Sequence, residues 1–413
     1  MKNRVDMKNR DVLISGASIG GPALAYWLVR YGFNVTIVEL TPALRVGGQA
    51  IDVRGPALEV AERMGVLDEI RDRRVQMRGM SMVDADGKEL FSTTERTITG
   101  GDLDSPDVEI LRDDLSVIMA EATESAAGSA AESAAESAGK VEYLFSDSIT
   151  AIEQDGDGVR VAFRNSEPRT FDLVVGADGL HSNTRRLVFG PETDYITYMG
   201  TYLSVWSMPN YLELDRWQMF HQVPGGSWGG GVMSVRDNTE CRVYLGFETE
   251  ETLDYDHRDI DAQKRILADR LGGEGWELPR MLEYMWEAKD FHFDAMAQIH
   301  MDTWSDGRVV LLGDAAYCGS PLSGQGTTMA MVAAYVLAGE LKAAGGDHVR
   351  AFAAYERELR EYVRCNQELA YTNKARVEAQ AAVDMGGDVE LDVAVPDFQE
   401  AAGIINDLPL KEY

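Results

Sequence analysis

Cysteine is scarce in this 413-residue chain. Cys241, Cys318 and Cys365 lie far apart and form no C-x-x-C pair, which argues against a redox dithiol or a zinc knuckle and fits a reducing cytosol. The six histidines include no H-E-x-x-H and no close pair, so no metal site is expected. No apolar run approaches the roughly 20 residues that a bilayer requires. The longest lies near residues 329–338, and the N-terminus lacks a signal-peptide apolar region, so the expected location is cytoplasmic. Basic residues are few: 39 Lys and Arg against 69 Asp and Glu leave a net charge of −30. That field repels nucleic acid and anionic membranes, and neither is an expected partner. Any site for an anionic ligand must therefore gather arginines or backbone N–H groups locally. No period of 20 to 50 residues recurs, which excludes a solenoid or propeller.

What is present is ample core material. At 45 % hydrophobic the chain can fill about two or three lobes. Met1-Lys-Asn-Arg4 recurs at Met7-Lys-Asn-Arg10, reads as a duplicated or alternative start, and is left out of fold reasoning. Residues 11–15, 22–30 and 34–39 read as strand, helix and strand around a turn at 16–21, with Gly32 as a C-cap glycine. Helices are expected at 56–64 and 115–124. The Ala/Ser/Glu stretch 124–139 carries no large apolar side chain and reads as an exposed helical extension or mobile loop. Short strands separated by Asp-Gly turns fill 141–175. Residues 195–250, with Tyr202, Trp206, Trp217, Phe220, Trp228, Tyr244 and Phe247, read as a separate antiparallel sheet whose aromatics are mostly core, with some left to line a pocket. A strand at 308–312 and long helices at 325–342 and 349–382 follow; the last thirty or so residues carry no pattern.

Gly16-Ala17-Ser18-Ile19-Gly20-Gly21 follows a strand and opens a helix, and Glu39 ends the next strand eighteen residues after Gly21. This is close to the dinucleotide fingerprint G-x-G-x-x-G. Gly16 permits the tight turn, Gly21 lets helix and strand pack closely, the helix N-terminus receives a diphosphate, and Glu39 accepts ribose hydroxyls. Ser18 stands where the middle glycine is usual. The same residues spell G-x-S-x-G, the nucleophile elbow of serine hydrolases. An elbow needs a sheet already built before it, however, and only one strand precedes Ser18.

Two further motifs stand downstream. Asp178-Gly179-Leu-His-Ser182-Asn-Thr-Arg185 resembles D-G-x-x-S-x-x-R, and Gly313-Asp314-Ala-Ala-Tyr-Cys-Gly-Ser-Pro321-Leu-Ser-Gly324-Gln-Gly326 resembles G-D-A-A-x-x-x-x-P-x-x-G-x-G. In this order the three motifs resemble the para-hydroxybenzoate hydroxylase-like, or group A, FAD-dependent monooxygenases over roughly residues 10–375. The look is nearest to the tetracycline-inactivating and the actinomycete polyketide- or antibiotic-modifying members. The resemblance implies an α/β fold: a Rossmann-like FAD domain from residues 10–70, 105–190 and 300–345, a substrate domain from 71–104 and 191–299, a C-terminal helix at 346–385 and a tail at 386–413. It implies FAD held by Gly16, Ser18, Gly20, Gly21, Glu39, Gly313, Asp314, Pro321, Gly324 and Gly326. Asp178 and Arg185 would stand at the groove where the diphosphate and NAD(P)H approach. Arg112, in L-R-x-x-L, would contact the cofactor. Arg45 and Arg54, flanking Gly47-Gly48-Gln49-Ala50-Ile51-Asp52-Val53, would lie near the flavin.

The chemistry implied is hydroxylation of an aromatic or polycyclic small molecule: FAD reduced by NADPH or NADH meets O₂ and forms a flavin hydroperoxide. No catalytic acid or base is named. The sequence lacks W-x-W-x-I-P, which sets it apart from the related halogenases, and at 413 residues it has no room for the thioredoxin-like domain of the larger hydroxylases. Three alternatives stay open: a flavoprotein that does not insert oxygen, a serine hydrolase using Ser18, and a non-catalytic FAD-binding protein. Substrate, nicotinamide preference and oligomeric state are not legible.

Overall fold

Runs of Val, Leu and Ile bounded by glycine build a central sheet buried on both faces. The structure, a computed structural model, describes residues 7–132, 139–222, 229–384 and 405–413. The central sheet has six strands in the order Ser305–Asp306, Val309–Leu311, Leu173–Gly176, Asp11–Ser15, Asn34–Val38 and Val141–Leu144. All neighbours pair in parallel except the edge strand Ser305–Asp306. Alternate residues point to opposite faces. Val12, Ile14, Val35, Ile37 and Val175 pack beneath the helices Gly20–Arg30, Arg112–Glu132, Gly326–Ala343 and His348–Asp384. Leu13, Val38, Val174 and Val309 face the other way, onto Val159, Val161, Phe163 and Phe171 of a three-stranded antiparallel sheet. This is the expected α/β arrangement, with a small β layer on one side in place of helices.

Helix boundaries follow local chemistry. Pro56 opens Pro56–Met64 and Gly65, at φ +79°, closes it in the left-handed region. The helix that begins at Arg112 runs to Glu132, so the first part of the Ala/Ser/Glu stretch is helical; residues 133–138, like Trp228 and most of the tail, lie outside the described residues.

A second sheet has seven strands in the order His292–Ile299, Ile196–Pro209, Glu240–Glu248, Gly229–Val235, Trp217–Gln222, Gly79–Val83 and Glu89–Thr93. Tyr202, Trp206, Phe220, Tyr244 and Phe247 are buried in it, as the core reading of these aromatics expects. Two helices, Ile260–Leu271 and Leu278–Glu287, cover one face and were not foreseen. Leu278, Met281, Leu282 and Met285 recur at helical spacing and are the signal that could have located the second. A two-stranded ribbon, Ala50–Val53 with Val108–Leu111, joins the two lobes. The last residues, patternless in sequence, fold back: Ile405 is buried, Tyr413 lies against Gly339, and Lys411 pairs with Glu340 at 2.9 Å. Among the described residues no helix is long and apolar enough to cross a membrane.

Candidate functional site

The first strand ends in a turn that only glycine can make. Gly16 sits at φ +108°, and a Cβ there would lie 2.4 Å from the Ala177 carbonyl; a Cβ on Gly21 would lie 2.0 Å from the Gly16 carbonyl. The helix that follows has no side-chain cap and no acidic residue in its first turn, so its N–H groups and positive end remain available to an anion. Glu39 braces this turn. One carboxylate oxygen accepts from Ala17 N–H at 2.9 Å, and the other from Thr41 N–H at 3.0 Å and its hydroxyl at 2.9 Å.

Arg112 reaches across from the start of its helix and donates to Ser18 Oγ at 2.7 Å. This contact counts against the nucleophile elbow, because a guanidinium cannot take a proton from the hydroxyl and no other side chain bonds Ser18 among the described residues. Arg45 lies beside Arg112, and neither makes an ion pair among the described residues. Burial, then the neighbouring Arg45, draws the Arg112 guanidinium down to about 10. The Arg45 guanidinium is lowered too, by desolvation within the cleft, against the opposing pull of Asp290, Glu39 and Asp294. His292, which sequence reasoning missed, lies near both; burial and Arg45 hold its imidazole at about 4, so it is neutral at pH 7. Two confined guanidinium groups without a carboxylate partner are costly, and they make sense where an anion arrives.

On the other side of the turn, Gly313 at φ +64° aims Asp314 inward, where burial raises its carboxyl despite the nearby Arg112. A Cβ on Gly324 would meet only Arg54 Nη1 at 3.5 Å, and one on Gly326 only Asp314 Oδ1 at 4.0 Å. These glycines border open space at the uncapped start of Gly326–Ala343, with Pro321 exposed beside them. A Cβ on Gly20 would approach the Leu312 side chain at 2.7 Å, so close packing also favours glycine there. Arg54 is drawn from the cleft toward Asp52, at 2.9 Å, and the Gly100 carbonyl, at 3.1 Å. A diphosphate and a ribityl chain fit these groups: uncapped N–H donors, two cations without an ion pair among the described residues, and an inward carboxylate.

The second motif departs from its expected role. The Asp178 carboxylate is taken up by Ser182 Oγ at 2.5 Å, Thr184 N–H at 2.9 Å and the Thr184 hydroxyl at 2.8 Å, and Ser182 Oγ in turn accepts from Arg185 N–H. Asp178 and Ser182 thus cap the helix Asn183–Val188. Arg185 is entirely buried and donates to the Ala315 carbonyl at 2.9 Å, the Leu180 carbonyl at 2.7 Å and Glu192 at 2.8 Å. No open face remains for a phosphate, so the expectation that Arg185 meets the diphosphate is corrected. It clamps the second motif to the third.

Between the lobes, Asp52 and Glu109 sit directly opposite in the ribbon. Like charges in that position repel. Burial first, opposed by Arg54, raises Asp52 to about 6; burial and then Asp52 raise Glu109 to about 8. One buried oxygen of each carboxyl has no partner. Each folded value lies above the ordinary carboxylate value of about 4, so the folded state binds more protons and stability falls as pH rises from about 4 toward 8. Glu109→Gln should flatten that slope: its thermal midpoint relative to the parent should rise between pH 5 and pH 8. An unchanged difference across that range would refute the raised Glu109 carboxyl.

With this geometry in view, the comparisons are specific. Residues 9–366 match the family described as FAD binding domain. A protein of Mycobacterium tuberculosis (strain H37Rv) described as uncharacterized is 52 % identical over 365 residues, 88 % of this chain and 93 % of that protein. A flavin-dependent monooxygenase of Legionella longbeachae is 38 % identical over 360 residues, 87 % of each. The crystal structure of tetracycline destructase Tet(51) superposes with a TM-score of 0.82 at 34 % identity, covering 97 % of this chain and 99 % of that one. A match of this length cannot rest on a chance glycine turn: the chain belongs to the FAD binding domain family, the para-hydroxybenzoate hydroxylase-like flavin monooxygenases.

Proposed function

We propose that this FAD-dependent monooxygenase uses NADPH or NADH and O₂ to hydroxylate an aromatic or polycyclic small molecule in the cytoplasm. The observation that carries the cofactor assignment is the Arg45–Arg112 pair, two guanidinium groups without an ion-pair partner among the described residues, set against an uncapped helix start in a chain of net charge −30. Arg45 and Arg112 would hold the diphosphate with the N–H groups of the 16–21 turn. Glu39 would hold the ribose and Asp314 the ribityl chain, while Pro321, Gly324, Gly326 and Arg54 would border the ring. Bound there, FAD supplies the electron transfer and oxygen activation.

The chain's own share is positional. Buried Phe220, Met233 and Tyr244 form an apolar cluster with Leu111 beside the Asp52–Glu109 ribbon. Such a wall suits a flat, ring-rich ligand and keeps water from the reacting face. The tetracycline destructase likeness favours a polycyclic substrate, and three free, buried cysteines accord with a reducing compartment.

The test is the visible spectrum of the purified protein, followed by NAD(P)H oxidation and oxygen uptake with a panel of tetracyclines and polycyclic phenols. Flavin bands, ligand-stimulated oxidation and a product heavier by one oxygen are expected. Oxidation without oxygen insertion would make the protein a reductase, and flavin bands without ligand-stimulated turnover a binding protein. Failure to take up FAD would overturn the assignment.

A further inference from the structure

His181 lies within the second motif, and no step proposed above employs it. It stands in the loop after Leu173–Gly176, while His257 stands in the turn before Ile260–Leu271 and Asp294 in His292–Ile299. The three come together at the flank of the cleft. One ligand atom from each lies within 4.8 Å of the others. His181 Nε2 is 3.1 Å from both carboxylate oxygens of Asp294, and the two imidazole centroids are 4.2 Å apart. Metal–nitrogen and metal–oxygen bonds of about 2.0–2.2 Å allow three atoms so spaced to reach one ion.

We propose that His181, His257 and Asp294 form a binding site for a divalent transition-metal ion such as Zn²⁺, with its remaining coordination positions open. The surrounding contacts support the ligand roles. Both His181 nitrogens face carboxylates, Nδ1 at 2.9 Å from Glu192 Oε1 and Nε2 at 3.1 Å from Asp294; an ion would displace the Nε2 proton while Glu192 keeps Nδ1–H, giving the carboxylate–histidine–metal relay of many such sites. The Asp294 carboxylate is oriented by Ala295 N–H at 2.8 Å. The His257 ring makes no hydrogen bond among the described residues, so both its nitrogens are free of other duties. Two imidazoles select transition ions over Mg²⁺ and Ca²⁺, which prefer oxygen alone. The three ligands come from separated segments of both lobes, so an ion here would tie the second motif to the substrate sheet.

Metal-stripped, FAD-loaded protein should be titrated with Zn²⁺ in millimolar Mg²⁺, which saturates the acidic surface. One equivalent should bind and raise the thermal midpoint. His257→Ala, at an exposed position, should retain the flavin spectrum and fold yet bind Zn²⁺ at least about tenfold more weakly, and Asp294→Asn should behave likewise. No saturable equivalent in the parent protein, or equal affinity in His257→Ala, would overturn the proposal.

Discussion

Arg185→Ala should unfold several degrees below the parent, with or without cofactor. The side chain is fully buried, and its removal leaves Glu192 Oε2 without its cation and two carbonyls, Leu180 and Ala315, without this donor. Removing one member of a buried charge pair costs about 3–5 kcal/mol, and His181 Nδ1, 2.9 Å from the other Glu192 oxygen, offsets part of that. Glu192 keeps some contact with solvent, so the lower end is expected. For 413 residues, 3 kcal/mol corresponds to a fall of roughly 3–4 °C. Scanning calorimetry of the apoprotein checks this. If the apoprotein midpoint were unchanged while FAD affinity collapsed, Arg185 would be a phosphate ligand after all, and the clamp described above would be wrong.

The opposite pattern is expected at Arg112. Arg112→Ala should weaken FAD binding about a hundredfold, near 3 kcal/mol, the loss typical when one partner of a buried charged contact is truncated. Apoprotein stability should hold or rise, because the substitution relieves repulsion with Arg45 in a confined site. His292 should then titrate closer to the ordinary imidazole range, since one of the cations depressing it is gone. Reconstitution of the apoprotein followed by flavin fluorescence at two salt concentrations measures the affinity. A loss below about threefold, or a matching fall in apoprotein midpoint, would remove Arg112 from the anion site. Together the two arginines separate a cation that holds the fold from one that holds the ligand.

Local conformation was the legible part. Gly16, Gly21 and Gly313 announce themselves because a close approach or a positive φ leaves glycine as the residue that fits, and such demands act within a few residues. Alternating and helical periodicities likewise located the first βαβ unit, the long helices and most of the second sheet, though the amphipathic stretch at Leu278–Glu287 went unread.

The chain by itself thus determined its fold family and the turn, helix start and carboxylates suited to a dinucleotide, because these follow from short-range backbone chemistry. Tertiary structure alone decided which charges meet. Ser18 and Arg112 are 94 residues apart, His181 and Asp294 are 113 apart, and Asp52 faces Glu109 only through strand register. Asp178 and Arg185 kept their place in the motif, but long-range burial turned them to capping and clamping. A side chain's charge is written in the sequence; its partner, desolvation and therefore its role depend on what the fold brings within a few ångströms of it.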